Sequence, residues 1–138
     1  MFKKGFAMFF CLLFFLFALV YFVTPELNEL SSKITFYTSY SNSNAIKRNT
    51  DNKLFLIFKG VTGESCTLTK SQVSLQQVEK EYCLKEEFIE EMPNFTIRYY
   101  SSNKLKYKKK VNGKQISMQI VEYEKEMIIG TPIIYGSF

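Results

Sequence analysis

The hydrophobic pattern of the chain begins with an unbroken apolar run. From Phe6 to Val23, 18 residues carry no charge, glycine or proline. A helix of this length, rising 1.5 Å per residue, measures roughly 27 Å, close to the ~30 Å hydrocarbon core of a bilayer. The run therefore predicts a transmembrane helix.

The charges on either side of this run predict its orientation. Lys3 and Lys4 precede it, whereas Glu26 and Glu29 follow it. Under the positive-inside rule, the N-terminus stays in the cytoplasm and the residues beyond the helix are exported. The sequence therefore predicts a single-pass inner-membrane protein, with a cytoplasmic leader and anchor at 1–24 and a periplasmic or extracellular C-terminal part.

A cleaved signal peptide is the main alternative to an anchor. The apolar region of such a peptide is normally ~7–15 residues long and ends at a small-x-small site. Here the run is longer, and it ends in the bulky sequence "ALVYFVTPE". A lipoprotein would need small residues before Cys11, where "MFF" stands instead. We therefore expect an uncleaved anchor.

Beyond the anchor, the pattern predicts strands separated by polar segments. "ITFYTSY" (Ile34–Tyr40) alternates and is rich in β-branched and aromatic residues, which favours a strand. Ser41–Asn52 is a polar loop without periodicity. "KLFLIFKGV" (Lys53–Val61) is apolar on both faces and predicts a central strand. "TGES" (Thr62–Ser65) predicts a turn, which leads to a short strand around Cys66.

One soluble helix is predicted in the middle of the chain. "TKSQ" (Thr69–Gln72) matches a capping box. Apolar residues follow at helical spacing: Leu75, Val78, Tyr82, Leu84, Phe88 and Met92. The last three are slightly out of phase with the first three, which leaves open a break near Cys83. Pro93 ends the segment.

The last third predicts antiparallel strands. "NFTIRYY" places Phe95, Ile97 and Tyr99 on one face, and Met127–Gly136 forms a final apolar strand. Between them, "NG" at 112–113 predicts a two-residue hairpin turn, because both positions favour positive φ. The turn sets a register that pairs Val111 with Lys114, Lys109 with Ile116, Lys110 with Gln115, Tyr107 with Met118, and Leu105 with Ile120.

These elements together predict an α+β fold, in which an N-terminal transmembrane helix precedes one small antiparallel-sheet domain with one helix. After the leader and anchor at 1–24, residues 25–52 are expected to form a membrane-proximal stalk and loop. Residues 53–138 are expected to form the extracytoplasmic domain.

The composition limits the catalytic and metal-binding groups that the chain can supply. The chain has 138 residues, a formal charge of +5 and no histidine, so it lacks the commonest general base and metal ligand. At helical spacing, Glu86, Glu87, Glu90 and Glu91 form an exposed face rather than a paired carboxylate site. "GVTGES" lacks the spacing of a phosphate loop. We expect no enzyme activity and no catalytic, cofactor or metal site.

Two cysteines of the exported part are candidates for a disulfide. In an oxidising compartment, Cys66 and Cys83 could close an 18-residue loop. The chain-entropy model gives such a bridge roughly 3 kcal/mol. The alternative is a pair of unpaired buried thiols. Cys11 lies in the apolar run and is a small hydrophobe.

The lysines of the hairpin form a candidate basic surface: Lys104, Lys106, Lys108 and Lys110. They could hold lipid headgroups, an acidic partner or, less favourably, nucleic acid. The alternative is a solvated strand face, on which lysines also protect an edge strand from aggregation.

The opening stretch "KKGFAMFFCLLFFLFALVYFV" resembles the N-terminus of type IV pilin-like proteins, which include minor pilins and pseudopilins. Lys3, Lys4, Gly5 and Phe6 match the basic leader and its end in order. Phe10 stands where most family members carry glutamate. The resemblance implies cleavage between Gly5 and Phe6 and packing of the apolar helix into a filament core.

The function expected from the sequence is therefore a structural or assembly component of a cell-envelope apparatus, such as a pilin-like secretion, pilus or DNA-uptake system. Its expected partners are the lipid bilayer and other membrane or envelope proteins. The alternative is a membrane-tethered binding module, which would use the lysine-rich hairpin to hold an anionic ligand or partner.

Overall fold

The computed structural model describes residues 2–23, 25–31, 33–38, 46–49 and 60–135 of the chain. Two helices lie within them, α1 (Phe2–Val23) and α2 (Leu75–Glu81). The strands are β1 (Thr35–Thr38), β2 (Ile46–Asn49), β3 (Val61–Thr69), β4 (Lys85–Glu91), β5 (Thr96–Ser101), β6 (Lys109–Val111), β7 (Lys114–Ile116), β8 (Met118–Glu122) and β9 (Glu126–Thr131).

Seven of these strands form one antiparallel sheet in the order β2-β1-β3-β9-β8-β5-β4. The other two, β6 and β7, pair with each other as a separate ribbon. Residues 25–52, predicted as a stalk, contribute β1 and β2 to the same sheet as the later strands. The boundary drawn at residue 53 therefore does not separate two structural units.

The sheet carries a hydrophobic core on each face, because successive side chains of a strand point to opposite sides. One core packs Met127 and Ile129 of β9 beneath α2 and the segment 25–31, which inserts the fully buried Leu27. The other core packs Val121 of β8 beneath the ribbon, and the chain after β9 also contributes to it. Helix and ribbon thus cover opposite faces of one sheet.

The N-cap of α2 lies about one helical turn further along the chain than the predicted one. Ser74 and Gln77 make the capping box of α2, with the Gln77 amide donating to the Ser74 hydroxyl at 3.2 Å. The predicted box at Thr69–Gln72 is wrong, because Thr69 ends β3. Two sequence matches to the same motif lie five residues apart, and the second one caps the helix.

The predicted continuation of the helix over residues 84–92 is also wrong, because this segment forms β4. Cys83 has a φ of 49°, which ends the helical path immediately after α2. Phe88 then stacks on Tyr99 of the neighbouring strand, with 4.2 Å between ring centroids. The break that the sequence left open near Cys83 therefore separates a helix from a strand.

The predicted hairpin is confirmed next to its turn. Val111 pairs with Lys114, Lys110 with Gln115 and Lys109 with Ile116, and both turn residues have positive φ. The predicted pairs of Tyr107 with Met118 and of Leu105 with Ile120 are wrong, because the ribbon ends at Ile116.

Ser117 is the residue at which the chain leaves the ribbon for the sheet. Its amide donates to the Tyr100 carbonyl at 2.8 Å, and its hydroxyl bonds to the backbone of Ser102. Met118 then pairs with Tyr100 on β5. These contacts redirect β8 from the ribbon into the main sheet.

Several other predicted segments differ from the structure. The predicted turn at Thr62–Ser65 is wrong, because β3 continues through it, and β2 interrupts the loop predicted at Ser41–Asn52. Most of the strand predicted at Lys53–Val61 lies outside the described residues. The final strand ends at Thr131, which precedes a cis peptide bond to Pro132. The shared face of Phe95, Ile97 and Tyr99 is confirmed by their common core.

The predicted transmembrane anchor at 1–24 is corrected by the structure. Over the described ranges, no helix is both long enough and apolar enough to cross a membrane. The fold class is thus α+β with an antiparallel sheet, and the single-pass, inner-membrane and periplasmic or extracellular assignments are withdrawn.

Candidate functional site

Helix α1 exposes large apolar side chains over most of its described length. Ten of them are between 38% and 78% exposed: Phe6, Met8, Phe9, Phe10, Leu12, Leu13, Phe14, Phe15, Leu16 and Phe17. An α-helix turns 100° per residue, so these nearly consecutive positions point in every direction around its axis. Exposed apolar surface of this extent is typical of an interaction site.

The segment that follows α1 is fixed to the sheet domain by hydrogen bonds of Glu26. Its amide donates to Oε2 of Glu64 on β3 at 2.8 Å, and its carbonyl accepts from the Tyr82 hydroxyl at 2.8 Å. Its side chain accepts from the Lys106 amide at 2.9 Å. Together with the burial of Leu27, these contacts join the segment 25–31 to three separate parts of the domain.

Glu64, which accepts this hydrogen bond from the Glu26 amide, is a fully buried carboxyl group. Its Oε1 has no hydrogen-bond partner in the described structure, and neither does the hydroxyl of Thr131, its pairing partner across β3 and β9. Burial raises the pKa of Glu64 to about 7, although the amide hydrogen bond from Glu26 and the charge of Lys106 oppose the rise. A neutral carboxyl group therefore suits this position better than a charged one.

The four lysines predicted as one basic surface, Lys104, Lys106, Lys108 and Lys110, separate in the structure. The ammonium group of Lys104 donates to the Glu81 carbonyl at 2.8 Å, where it also complements the C-terminal end of α2. Lys106 lies over the Tyr107 ring, 5.1 Å from its centroid. The third, Lys108, lines a cavity, and the fourth is exposed on the ribbon.

This cavity has a volume of about 420 Å³ and lies between the β4–β5 pair and the ribbon. Its charged lining consists of Lys85 on β4, Lys108 before β6, Lys114 on β7, and Glu87. Serine hydroxyls and the amides of Asn103 and Gln115 complete a polar lining, with Cys83 also present. The cavity therefore brings together cations from three separate stretches of sequence.

Glu87 is held as an anion inside the cavity. Its Oε1 accepts a hydrogen bond from the Ser101 hydroxyl at 2.6 Å, and the ammonium groups of Lys114 and Lys85 lie 3.4 Å and 3.9 Å from its oxygens. The Ser101 hydrogen bond and these lysines lower the pKa of Glu87. Within the described part of the chain, Lys108 forms no hydrogen bond or ion pair.

The glutamates predicted on an exposed helix face lie on a strand instead. Arg98 of β5 binds Glu86 on one side at 2.9 Å and Glu122 on the other at 2.6 Å. Lys70 also contacts Glu122, at 3.2 Å. This network ties β4, β5 and β8 together, and we assign it a structural role.

The predicted disulfide between Cys66 and Cys83 does not form, and both are free thiols. Cys66 is buried in the core beneath α2, whereas Cys83 is exposed after the end of that helix. Burial, with a smaller contribution from the nearby Glu64, raises the pKa of the Cys66 thiol to about 12. One cysteine is therefore inside the core, and the other is on the surface.

This placement predicts different thiol reactivities. In a C11S variant, a maleimide should modify one thiol per chain within minutes, and the second only after unfolding, because buried Cys66 is both shielded and protonated. A C11S/C83S variant, which keeps Cys66 alone, should stay unmodified in native buffer. Two equally protected thiols in the C11S variant, released by a reductant, would instead show that the bridge exists.

Gly5 and Phe6, the candidate prepilin-type cleavage positions, both lie within the exposed N-terminal part of α1. Cleavage between them stays a prediction.

The sequence did not predict Lys85, Lys114 and Ser101 as residues of the cavity, because they come from different elements and only the fold brings them together. The one local signal was the alternation of lysines with apolar residues over 104–108.

Comparisons of the chain with protein-family models, curated proteins and solved structures found no match.

Proposed function

We propose that the chain is a non-catalytic assembly subunit, in which α1 packs against α1 of further copies and the sheet domain forms the outer head. The observation that carries this proposal is the apolar surface of α1, which extends around the whole helix. A helix that is apolar on every side is normally covered by other structure.

Identical helices suit this surface for geometric reasons. One flat partner covers a single side of a helix, whereas several parallel copies cover more of its circumference. Fully covering one large apolar side chain contributes about 1.5–3 kcal/mol, and association costs about 4–15 kcal/mol. Covering three or four side chains in a dimer would therefore only balance the cost. A bundle of several copies covers more of the ten and is favoured.

The contacts between the segment 25–31 and the sheet domain also support a role in assembly. Three hydrogen bonds and the buried Leu27 hold the segment after α1 on the domain. These contacts fix the position on the head from which the segment 25–31 leads toward α1. The resemblance of the first residues to pilin-like proteins and the absence of histidine from the sequence are consistent with an assembly role rather than catalysis.

A cysteine scan along α1 tests the proposal. In a C11S/C83S background, L12C, L13C and F14C each restore one thiol on a different side of the helix, and the C83S variant tests Cys11 itself. Under mild oxidation, the positions that face another copy should form disulfide-linked dimers rapidly, because the bundle holds their thiols next to each other. The C11S variant, with its exposed thiol on the head, is the control. Cross-linking at α1 no faster than in this control would contradict the proposal.

A further inference from the structure

The cavity between β4, β5 and the ribbon has a net positive charge. Three ammonium groups, from Lys85, Lys108 and Lys114, line it against the single carboxylate of Glu87. Glu87 contacts two of these lysines. The third, Lys108, has no charged partner in the described structure. The lining therefore carries an excess of two positive charges.

Glu87 shows how the cavity binds an anionic group. Its carboxylate accepts from one hydroxyl and lies near two ammonium groups, a donor arrangement that would equally suit the oxygens of a ligand. Lysine ammonium groups act as point charges and bind phosphate without the planar geometry that arginine imposes. An excess of two charges matches a phosphate dianion better than a single carboxylate.

The size and the remaining lining indicate what the anion is attached to. At about 420 Å³, the cavity falls within the roughly 300–1,000 Å³ of small-molecule sites. The exposed amides of Asn103 and Gln115 offer both donors and acceptors, which suit a polyol. Together with the three ammonium groups, these amides favour a hydrophilic ligand.

We propose that this cavity binds a small phosphomonoester of a polar alcohol, such as a sugar phosphate, through Lys85, Lys108 and Lys114. The site lies on the head and does not depend on the assembly proposed for α1. It is also distinct from the four-lysine surface expected from the sequence, since only Lys108 belongs to both.

Calorimetric titration of the full chain with glucose 6-phosphate tests this site, with glucose and inorganic phosphate as parallel probes. Glucose 6-phosphate should bind saturably, inorganic phosphate at least ten-fold more weakly, and glucose should not bind detectably. K108M should weaken binding at least about ten-fold, since a hydrogen bond to a charged group contributes about 1.5–3 kcal/mol. K125M removes the same charge from the exposed β8–β9 turn and should leave binding unchanged.

A second variant, E87Q, is expected to strengthen binding instead of weakening it. E87Q removes the carboxylate that competes for Lys85 and Lys114, so it should tighten binding of glucose 6-phosphate by a few fold. Circular dichroism of each variant checks that the head is folded. Equal binding of glucose, an equal loss in K125M and K108M, weaker binding in E87Q, or no binding of glucose 6-phosphate would each overturn the proposal.

Discussion

Replacing Glu64 by glutamine is expected to raise the free energy of unfolding at pH 8 by up to about 3 kcal/mol. Glu64 is fully buried, and its pKa in the folded protein is about 7 against an ordinary value of 4.5. Each pH unit of difference corresponds to about 1.4 kcal/mol, so charging this group opposes folding by about that amount. Glutamine keeps the shape of the side chain and cannot ionise.

The same pKa sets the pH dependence of the wild-type protein. Because the folded state binds the proton more tightly than the unfolded state, the contribution of Glu64 is fully present below about pH 4.5. It is lost as the pH rises through about 7. Glu87 and Glu122 have lowered pKa values, so their contributions have the opposite sign and are lost only in more acidic solution. Between pH 5 and pH 8, stability should therefore fall as pH rises.

Urea denaturation followed by circular dichroism at pH 5 and pH 8 measures both effects. The wild type should be less stable at pH 8, and E64Q should have nearly the same stability at both pH values. Glu124 is exposed and has no hydrogen bond or ion pair in the described structure, so E124Q is the matched control and should behave like the wild type. A wild type that becomes more stable from pH 5 to pH 8 would contradict the assignment.

The sequence predicted those parts of the fold that depend on neighbouring residues. The turn at Asn112 and Gly113 and the three pairs beside it follow from local backbone preference. The point at which the ribbon ends could not be predicted. It depends on contacts of Ser117 with Tyr100 and Ser102, which only the folded chain brings together.

The segment after Cys83 shows how a local pattern misleads. Leu84, Phe88 and Met92 are spaced like one face of a helix, and glutamate and lysine favour helices. The segment is nevertheless a strand, because Cys83 has a positive φ and Phe88 packs on Tyr99. Tertiary packing here outweighs helix propensity, and nothing in the local pattern reveals that strand β5 is available for pairing.

The candidate sites were predictable to different degrees. The apolar character of α1 is evident from sequence, because it depends on consecutive residues. The cavity is not, because Lys85 and Lys114 are separated by a strand, a loop and half of the ribbon. The expected disulfide rested on the cysteine count and on the predicted export, whereas the structure places Cys66 inside the core and Cys83 outside it.

Introducing two lysines on α1 is expected to dissociate the proposed assembly into monomers. Phe10 and Phe14 are both more than half exposed and lie one helical turn apart. In F10K/F14K, packing of the helices would bury charged groups without partners, at a cost of several kcal/mol for each. Lysine is a good helix former, so α1 itself should persist. F10L/F14L changes the same positions but keeps them apolar, and it should assemble like the wild type.

Sedimentation velocity of the wild type, F10L/F14L and F10K/F14K in detergent-free buffer tests most directly whether α1 is an assembly element. The wild type and F10L/F14L should sediment as the same discrete oligomer, and F10K/F14K as a folded monomer. A monomeric wild type, a polydisperse aggregate, or an F10K/F14K variant of unchanged size would contradict the account.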